Sequence, residues 1–317
     1  MPAIETKSLS KRFGDVVAVD DLSLQIDDGE VFGFLGPNGA GKSTTINMLL
    51  DFARPTGGAA TVLGYDTQDE SQKIRERVGV LPEGFDLYDR LSGRKHIEFA
   101  QRANGANGDP AEYLERVGLG GDPADRNAGE YSKGMKQRLA LGMALVGEPD
   151  VLIMDEPSSG LDPTGIREMQ EIVRTEADRG TTVFFSSHIL DHVEKVCDRI
   201  GVMNEGELVA VGSLDELHAR MGGDAHIELS VDESPRRAVE TLPDIDGVSG
   251  VTARNGQLDI TCSESAAKAK AINHVEAAGA TVLDIKVEDQ DIDDLFALLT
   301  GNGSTHRPEN APEEVSA

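Results

Sequence analysis

The sequence predicts an α/β fold, a mostly parallel sheet with helices on its faces, followed by a small α+β domain. Three observations carry this expectation. After Leu145, apolar and amphipathic runs alternate: "DVLIMDE", "PTGIREMQEIVRTEADR", "TTVFFSS", "ILDHVEKVC", "RIGVMN", "ELVAVG". Strand–helix alternation of this kind builds a parallel sheet. A glycine-rich turn, "GPNGAGKS", stands between the apolar run "VFGFL" and a helical pattern. Near 214–223 the texture changes to shorter runs that read as strand, helix, hairpin, helix, strand, the order of a split βαβ sandwich.

Taken in order, 4 to about 35 is strand-like, with "IETKSLSKRF", "LSLQI" and "VFGFLG" separated by Asp and Asp-Gly turns. A helix is expected from 42 to about 51, then strands at "GGAATVLGY" and "VGVLPE" with a short helix near 68–77 between them. From about 85 to 147 the chain is mainly helical, broken by the loops "NGANGDP" and "GLGGDPADRNAGE". The alternating region completes a first domain over 1–217. The second, over 224–300, comprises "HIELSV", "PRRAVETL", "GVTARN" with "QLDITCS", "SAAKAKAINHVEAAG" and "ATVLDIKV", and closes with an amphipathic helix at "IDDLFALLTG". The polar tail 301–317, with two prolines, is expected to be disordered.

Composition bounds the partners. Of 317 residues, 30 are Lys or Arg against 57 Asp or Glu, a net charge of -27. Such a field repels phosphates, which argues against nucleic acid or an anionic membrane as the main partner. Only 11 residues are Lys, Trp is absent and Gly reaches 35. This balance resembles proteins of salt-loving cells and suggests a halophilic archaeon as the source; an ordinary acidic cytosolic protein is the alternative. Cys197 and Cys262 lie far apart without metal-type spacing, as in a reducing cytosol. "MPAIETKSLS" lacks the basic start and apolar core of a signal peptide. Nowhere do about 18 apolar residues run together, so a chain soluble on its own is expected.

Three motifs carry chemistry. "FLGPNGAGKSTT" satisfies G-x-x-x-x-G-K-[ST], after an apolar strand and at the start of a helix. It makes Gly36, Pro37, Asn38, Gly39, Ala40, Gly41, Lys42, Ser43 and Thr44 the candidate ATP-binding residues. The backbone N–H groups form an anion nest, Lys42 adds a point charge, and the Ser43 hydroxyl suits Mg²⁺. "VLIMDE" brings Asp155 and Glu156 to the carboxyl end of a buried strand, where ligands of open α/β sheets bind. Two such acids alone read as a solvated rim or an N-cap. Beside a phosphate loop, Asp155 is the candidate Mg²⁺ holder and Glu156 the group that orients or deprotonates water. His188 ends "TTVFFSSH"; alone it is a structural histidine, and at that strand edge it can reach a γ-phosphate.

Together with "YSKGM" at 131–135 and "SSGLD" at 158–162, these motifs stand in an order that resembles the nucleotide-binding subunit of an ATP-binding-cassette transporter, over about 4–217. The resemblance implies a P-loop NTPase core with a helical subdomain at about 85–147, with Lys42, Glu156 and His188 catalytic. It implies a head-to-tail homodimer in which Ser132 and Gly134 of one copy cap the γ-phosphate held by Lys42 of the other. Tyr131 for Leu, Lys133 for Gly and Met135 for Gln depart from the family signature. Asp162 helps position the partner's site. Phe13 falls where the family stacks an aromatic on adenine, though a lone aromatic on a strand could equally be core. The lid glutamine is here Glu83, a carboxylate that can ligate metal but repels the γ-phosphate. That swap and the C-terminal module point to the drug-exporter-like branch, with transport through a separate membrane permease and localisation at the cytoplasmic face of the membrane. A soluble cassette ATPase acting on nucleic acid or ribosomes is the alternative; one set of motifs, the compact helical stretch and the negative charge all weigh against it. From the charge balance, fold and turnover are expected to need molar salt. Melting curves and ATPase assays at low and molar KCl check this, and full folding at low ionic strength would contradict it.

Overall fold

The computed structural model describes residues 2–221, 225–232, 236–254, 256–262 and 265–288. The chain divides into two compact units, Met1–Leu217 and His218–Ala317. In the first, β1 (Ile4–Phe13) and β2 (Val16–Ile26) lead into β3 (Val31–Leu35), α1 (Lys42–Leu49), β4 (Gly57–Val62), β5 (Tyr65–Asp66), α2 (Ser71–Arg75) and β6 (Val78–Leu81). The helical stretch holds α3 (Gly93–Asn104), α4 (Pro110–Arg116), α5 (Asp122–Asp125) and α6 (Lys133–Ala144). There follow β7 (Val151–Met154), α7 (Pro163–Asp178), β8 (Thr182–Ser187), α8 (Asp191–Glu194), β9 (Arg199–Asn204), β10 (Glu207–Gly212) and α9 (Leu214–Met221).

The apolar runs form a six-stranded sheet in the order β10-β9-β3-β8-β7-β6, parallel from β9 to β6 with β10 antiparallel on its edge. Every residue of β3, β7 and β8 is buried, which is why these strands read as continuous apolar runs. Phe184 of β8 lies 6.0 Å from Phe32 and 5.2 Å from Phe34 of β3, ring centre to ring centre. The early strands form a separate antiparallel sheet, β2-β1-β4-β5. Their alternation explains the split: Leu22, Leu24 and Ile26 are buried between exposed Asp21, Ser23 and Gln25. A strand with one wet face pairs comfortably in an antiparallel sheet. The buried faces of both sheets join one hydrophobic cluster.

The run 189–197, expected as a helix, is a single helical turn, α8. At Gly33 a Cβ would stand 2.0 Å from Val193 Cγ1 and 2.8 Å from Cys197 Sγ, so the connection packs directly onto β3. Asp198 then accepts a hydrogen bond from Val31 N at 2.9 Å and starts β9.

A buried carboxylate joins the helical stretch to α7. Glu176 of α7 is 1 % exposed and accepts from Arg116 of α4 through both oxygens, with Arg179 adding a bond at 2.9 Å. Burial opposes the Arg116 charge, but Glu176 and Glu148 outweigh it and raise its pKa above the ordinary value.

In the second unit, β11 (Ala225–Val231), α10 (Arg236–Thr241), β12 (Val248–Arg254), β13 (Gln257–Cys262), α11 (Ser265–Ala277) and β14 (Val282–Glu288) form an antiparallel sheet ordered β12-β13-β11-β14 with two helices. Ile227, Leu229, Leu258, Ile260 and Val275 fill its core. The helix expected within 291–300 and the tail 301–317 lie outside the described residues.

Replacing Arg116 with Ala strips a buried carboxylate of one cation. Such losses cost about 3 kcal/mol or more, so the urea midpoint is expected to fall accordingly; an unchanged midpoint would refute the clamp.

Candidate active site

Parallel register assembles the site. Leu35 pairs with Ser187, and Met154 with Phe185, so β3, β7 and β8 end side by side and their following loops meet. After β3 the loop turns into α1 through Gly41, at φ 106° and ψ 0°. A Cβ there would stand 2.4 Å from the Ala18 carbonyl oxygen, so the left-handed turn and the close approach both require glycine. Gly41 has no side chain to cap α1, and the first turn carries no acid. Helix geometry leaves the N–H groups of Lys42, Ser43 and Thr44 without intrahelical acceptors. A free helix start of this kind favours an anion.

Lys42 is 5 % exposed. Its Nζ donates to the carbonyls of Gly36 at 2.6 Å and Pro37 at 3.2 Å, and lies 3.3 Å from Glu156 Oε1. On the other side, His188 Nδ1 donates to Glu156 Oε2 at 2.8 Å. Glu156 Oε1 is fully enclosed and receives no hydrogen bond; the Lys42 ammonium balances it by charge from outside hydrogen-bonding alignment. Glu156 itself is held in the left-handed region, at φ 49°. Asp155 is buried, accepts from Ser186 Oγ, and its N–H reaches the Leu81 carbonyl at 2.9 Å. Ser186 Oγ also accepts from Glu156 N at 2.9 Å. Ser186 escaped the sequence reading; its signal was one of two adjacent hydroxyls at the end of β8.

The remaining candidates lie around this cluster. Asn38 and Gly39 are exposed, Pro37, Ser43 and Thr44 half-buried, Gly36 and Ala40 buried. Phe13 is 53 % exposed with Lys11 Nζ 4.7 Å from its ring centre, so the core reading is set aside. Glu83 is exposed two residues past β6. Ser132 caps α6, accepting from Met135 N at 3.2 Å; its O–H stays free to donate. Around Gly134 there is open space, Leu161 Cδ2 standing 3.9 Å from where a Cβ would be. Asp162 caps α7 through Gly165 N at 2.8 Å. The structure therefore brings Lys42, Asp155, Glu156 and His188 together and leaves Phe13, Glu83, Ser132, Gly134 and Asp162 at the surface.

The enclosed, donor-free Glu156 Oε1 and the uncapped start of α1 fit a nucleotide triphosphate and a water beside it. Ser43 and Asp155 are the oxygen donors a hard cation such as Mg²⁺ takes.

A family model described as "ABC transporter" matches residues 19–159. The linearmycin resistance ATP-binding protein of Bacillus subtilis is 34 % identical, over 94 % of this chain and 98 % of that protein. The daunorubicin/doxorubicin resistance ATP-binding protein of Streptomyces peucetius is 34 % identical, over 98 % and 97 %. Among solved structures, a dimeric ATP-binding cassette in a post-hydrolysis state bound to ADP and Pi matches with a TM-score of 0.60 and 25 % identity, over 67 % of this chain and 98 % of that one.

Ser186→Ala removes a donor to Asp155 and the acceptor of a buried N–H. An orphaned group of this kind costs about 1–3 kcal/mol, to be read by chemical denaturation; wild-type stability would show that the bridge contributes nothing.

Proposed function

The chain belongs to the ABC transporter family, as an ATP-hydrolysing nucleotide-binding subunit that drives transport, and on that premise we propose that it works as a head-to-tail homodimer closed by ATP. The observation that carries the reading is the line Lys42–Glu156–His188, 3.3 Å and 2.8 Å between neighbours, beside an uncapped helix start.

In this proposal the 36–44 loop and Lys42 bind the β- and γ-phosphates, Lys42 exchanging its carbonyl partners for phosphate oxygens. Glu156 orients the attacking water and takes its proton. His188, 41 % exposed at the side chain, donates from one ring nitrogen to Glu156 and reaches the γ-phosphate with the other. Ser43 and Asp155 would hold Mg²⁺, with Glu83 as a further carboxylate near the same strand ends; the ion supplies charge neutralisation between phosphates. Phe13 stacks on adenine. Ser132 and Gly134, at a helix start, cap the γ-phosphate of the partner copy, and Asp162 positions the loop that crosses the seam.

We assign the permease to a groove of about 420 Å³ lined by Phe52, Val80, Pro82, Phe85, Phe99 and Met143. Phe52, Tyr88 and Phe99 are 66 %, 62 % and 45 % exposed, a surface suited to an apolar helix of a membrane subunit. No helix among the described residues is long and apolar enough to cross a membrane. In this proposal the subunit sits at the cytoplasmic face, held by that separate permease, and export is the direction favoured by relatives named for drug resistance. The charge of -27 supports a halophilic setting and no nucleic-acid partner.

Glu156→Gln should retain ATP in a stable dimer while turnover falls about 10²-fold or more, the scale of a lost general base. Adding Gly134→Asp should abolish the dimer. Light scattering with ATP and a phosphate-release assay read both; near-normal hydrolysis sinks the base, and an ATP-loaded monomer sinks the dimer.

A further inference from the structure

We infer that His192 is a positioning residue for hydrolysis: it ties the turn behind Glu156 to the segment behind His188 and thereby fixes the spacing of those two groups. The inference deepens the roles proposed above and rests on them. His192 Nδ1 lies 2.7 Å from Ser158 Oγ, and Ser158 is only 7 % exposed.

Ser158 stands two residues past Glu156, in the turn that must hold a non-glycine residue at φ 49°. A conformation of that kind persists only where its surroundings over-determine it. Three bonds fix the turn's backbone: Glu156 N to Ser186 Oγ at 2.9 Å, Ser159 N to Glu156 O at 3.0 Å, and Leu161 N to Ser158 O at 3.2 Å. The fourth restraint is the side-chain bond from Ser158 to His192.

His192 works from a fixed base. Its carbonyl accepts from Gln170 Nε2 of α7 at 3.1 Å, and its neighbour Val193 is fully buried. It lies within α8, four residues past His188, so the residue joins three segments: the Glu156 turn through its ring, α7 through its carbonyl, and the His188 loop through the chain. A cavity of about 20 Å³ beside the pair is walled largely by Met154, Pro157, Ile166, Met169 and Phe185. A water drawn into so apolar a space would find few partners and would replace the ring poorly. Burial lowers the imidazole pKa; Asp191 and Glu156 pull it upward, while His188 and Lys195 add to the lowering. The lowering favours the neutral ring, for which the bond joins two uncharged groups. Asparagine can replace that bond, since its amide both donates and accepts near the Nδ1 position.

The test measures kcat and KM for ATP separately, on the full chain, for His192→Ala, His192→Asn, Ser158→Ala and the Ala double variant, with Glu156→Gln alongside. Misplacing reacting groups by a fraction of an ångström lowers kcat about 10-fold; that loss is expected for His192→Ala and Ser158→Ala with KM little changed. The double variant should be no worse than either single one, as for two halves of one contact, and His192→Asn should recover most of the loss. Wild-type kcat in Ser158→Ala or His192→Ala overturns the inference, as does His192→Asn failing as badly as His192→Ala. If His192→Ala does not fold, Ser158→Ala decides. Normal turnover in Glu156→Gln defeats the roles beneath the inference, whereas an inactive Glu156→Gln beside an active His192→Ala defeats the inference alone.

Discussion

The enclosed ion pair between Lys42 and Glu156 is the constraint on which the first unit turns. Both groups are more than nine-tenths buried, 3.3 Å apart. A lone buried charge of either sign is costly, so each depends on the other being in place. The pair reaches across the sheet, Lys42 from the start of α1 after β3 and Glu156 from the loop after β7. Between them runs β8, which supplies Ser186 to Asp155, and the residue just past it, His188, meets Glu156. Any slip of these strands would separate the charges. The three all-buried strands and the phenyl contacts between Phe32, Phe34 and Phe184 resist such a slip.

Glu156 bears strain on two counts: a left-handed backbone and a carboxylate oxygen with no hydrogen-bond donor. Strain at a non-glycine residue is retained where the neighbourhood enforces it. Here Ser186 Oγ holds the N–H and the Ser159 amide holds the carbonyl. Glu156 Oε1 is the buried side-chain atom of the cluster without a hydrogen bond, and it stands beside the uncapped N–H groups of α1.

How much of this was legible in the sequence follows from how local each signal is. The phosphate loop is one contiguous turn, and "VLIMDE" carries its acids at the end of an apolar run, so Lys42, Asp155 and Glu156 could be placed beforehand. Ser186 could not. Whether Ser186 or Ser187 meets Asp155 depends on the β7–β8 register, and a shift of one residue exchanges the faces. The separate antiparallel sheet depends on β1 pairing with β4, across β3 and α1, which no local pattern encodes. The short α8 likewise reflects a tertiary contact, Val193 and Cys197 against Gly33, overriding a helical periodicity. Phe13 was ambiguous because a strand aromatic is core or surface according to which face the sheet buries; its exposure is a property of the pairing.

A site whose cation is already engaged has a consequence for energy coupling. Lys42 makes contacts with two carbonyl oxygens and a carboxylate of this chain. In the role proposed for it, phosphate binding at this ammonium is an exchange of partners, and only the difference between the two sets appears as affinity. An exchange of that kind moderates binding and keeps it reversible, as a cyclic motor requires.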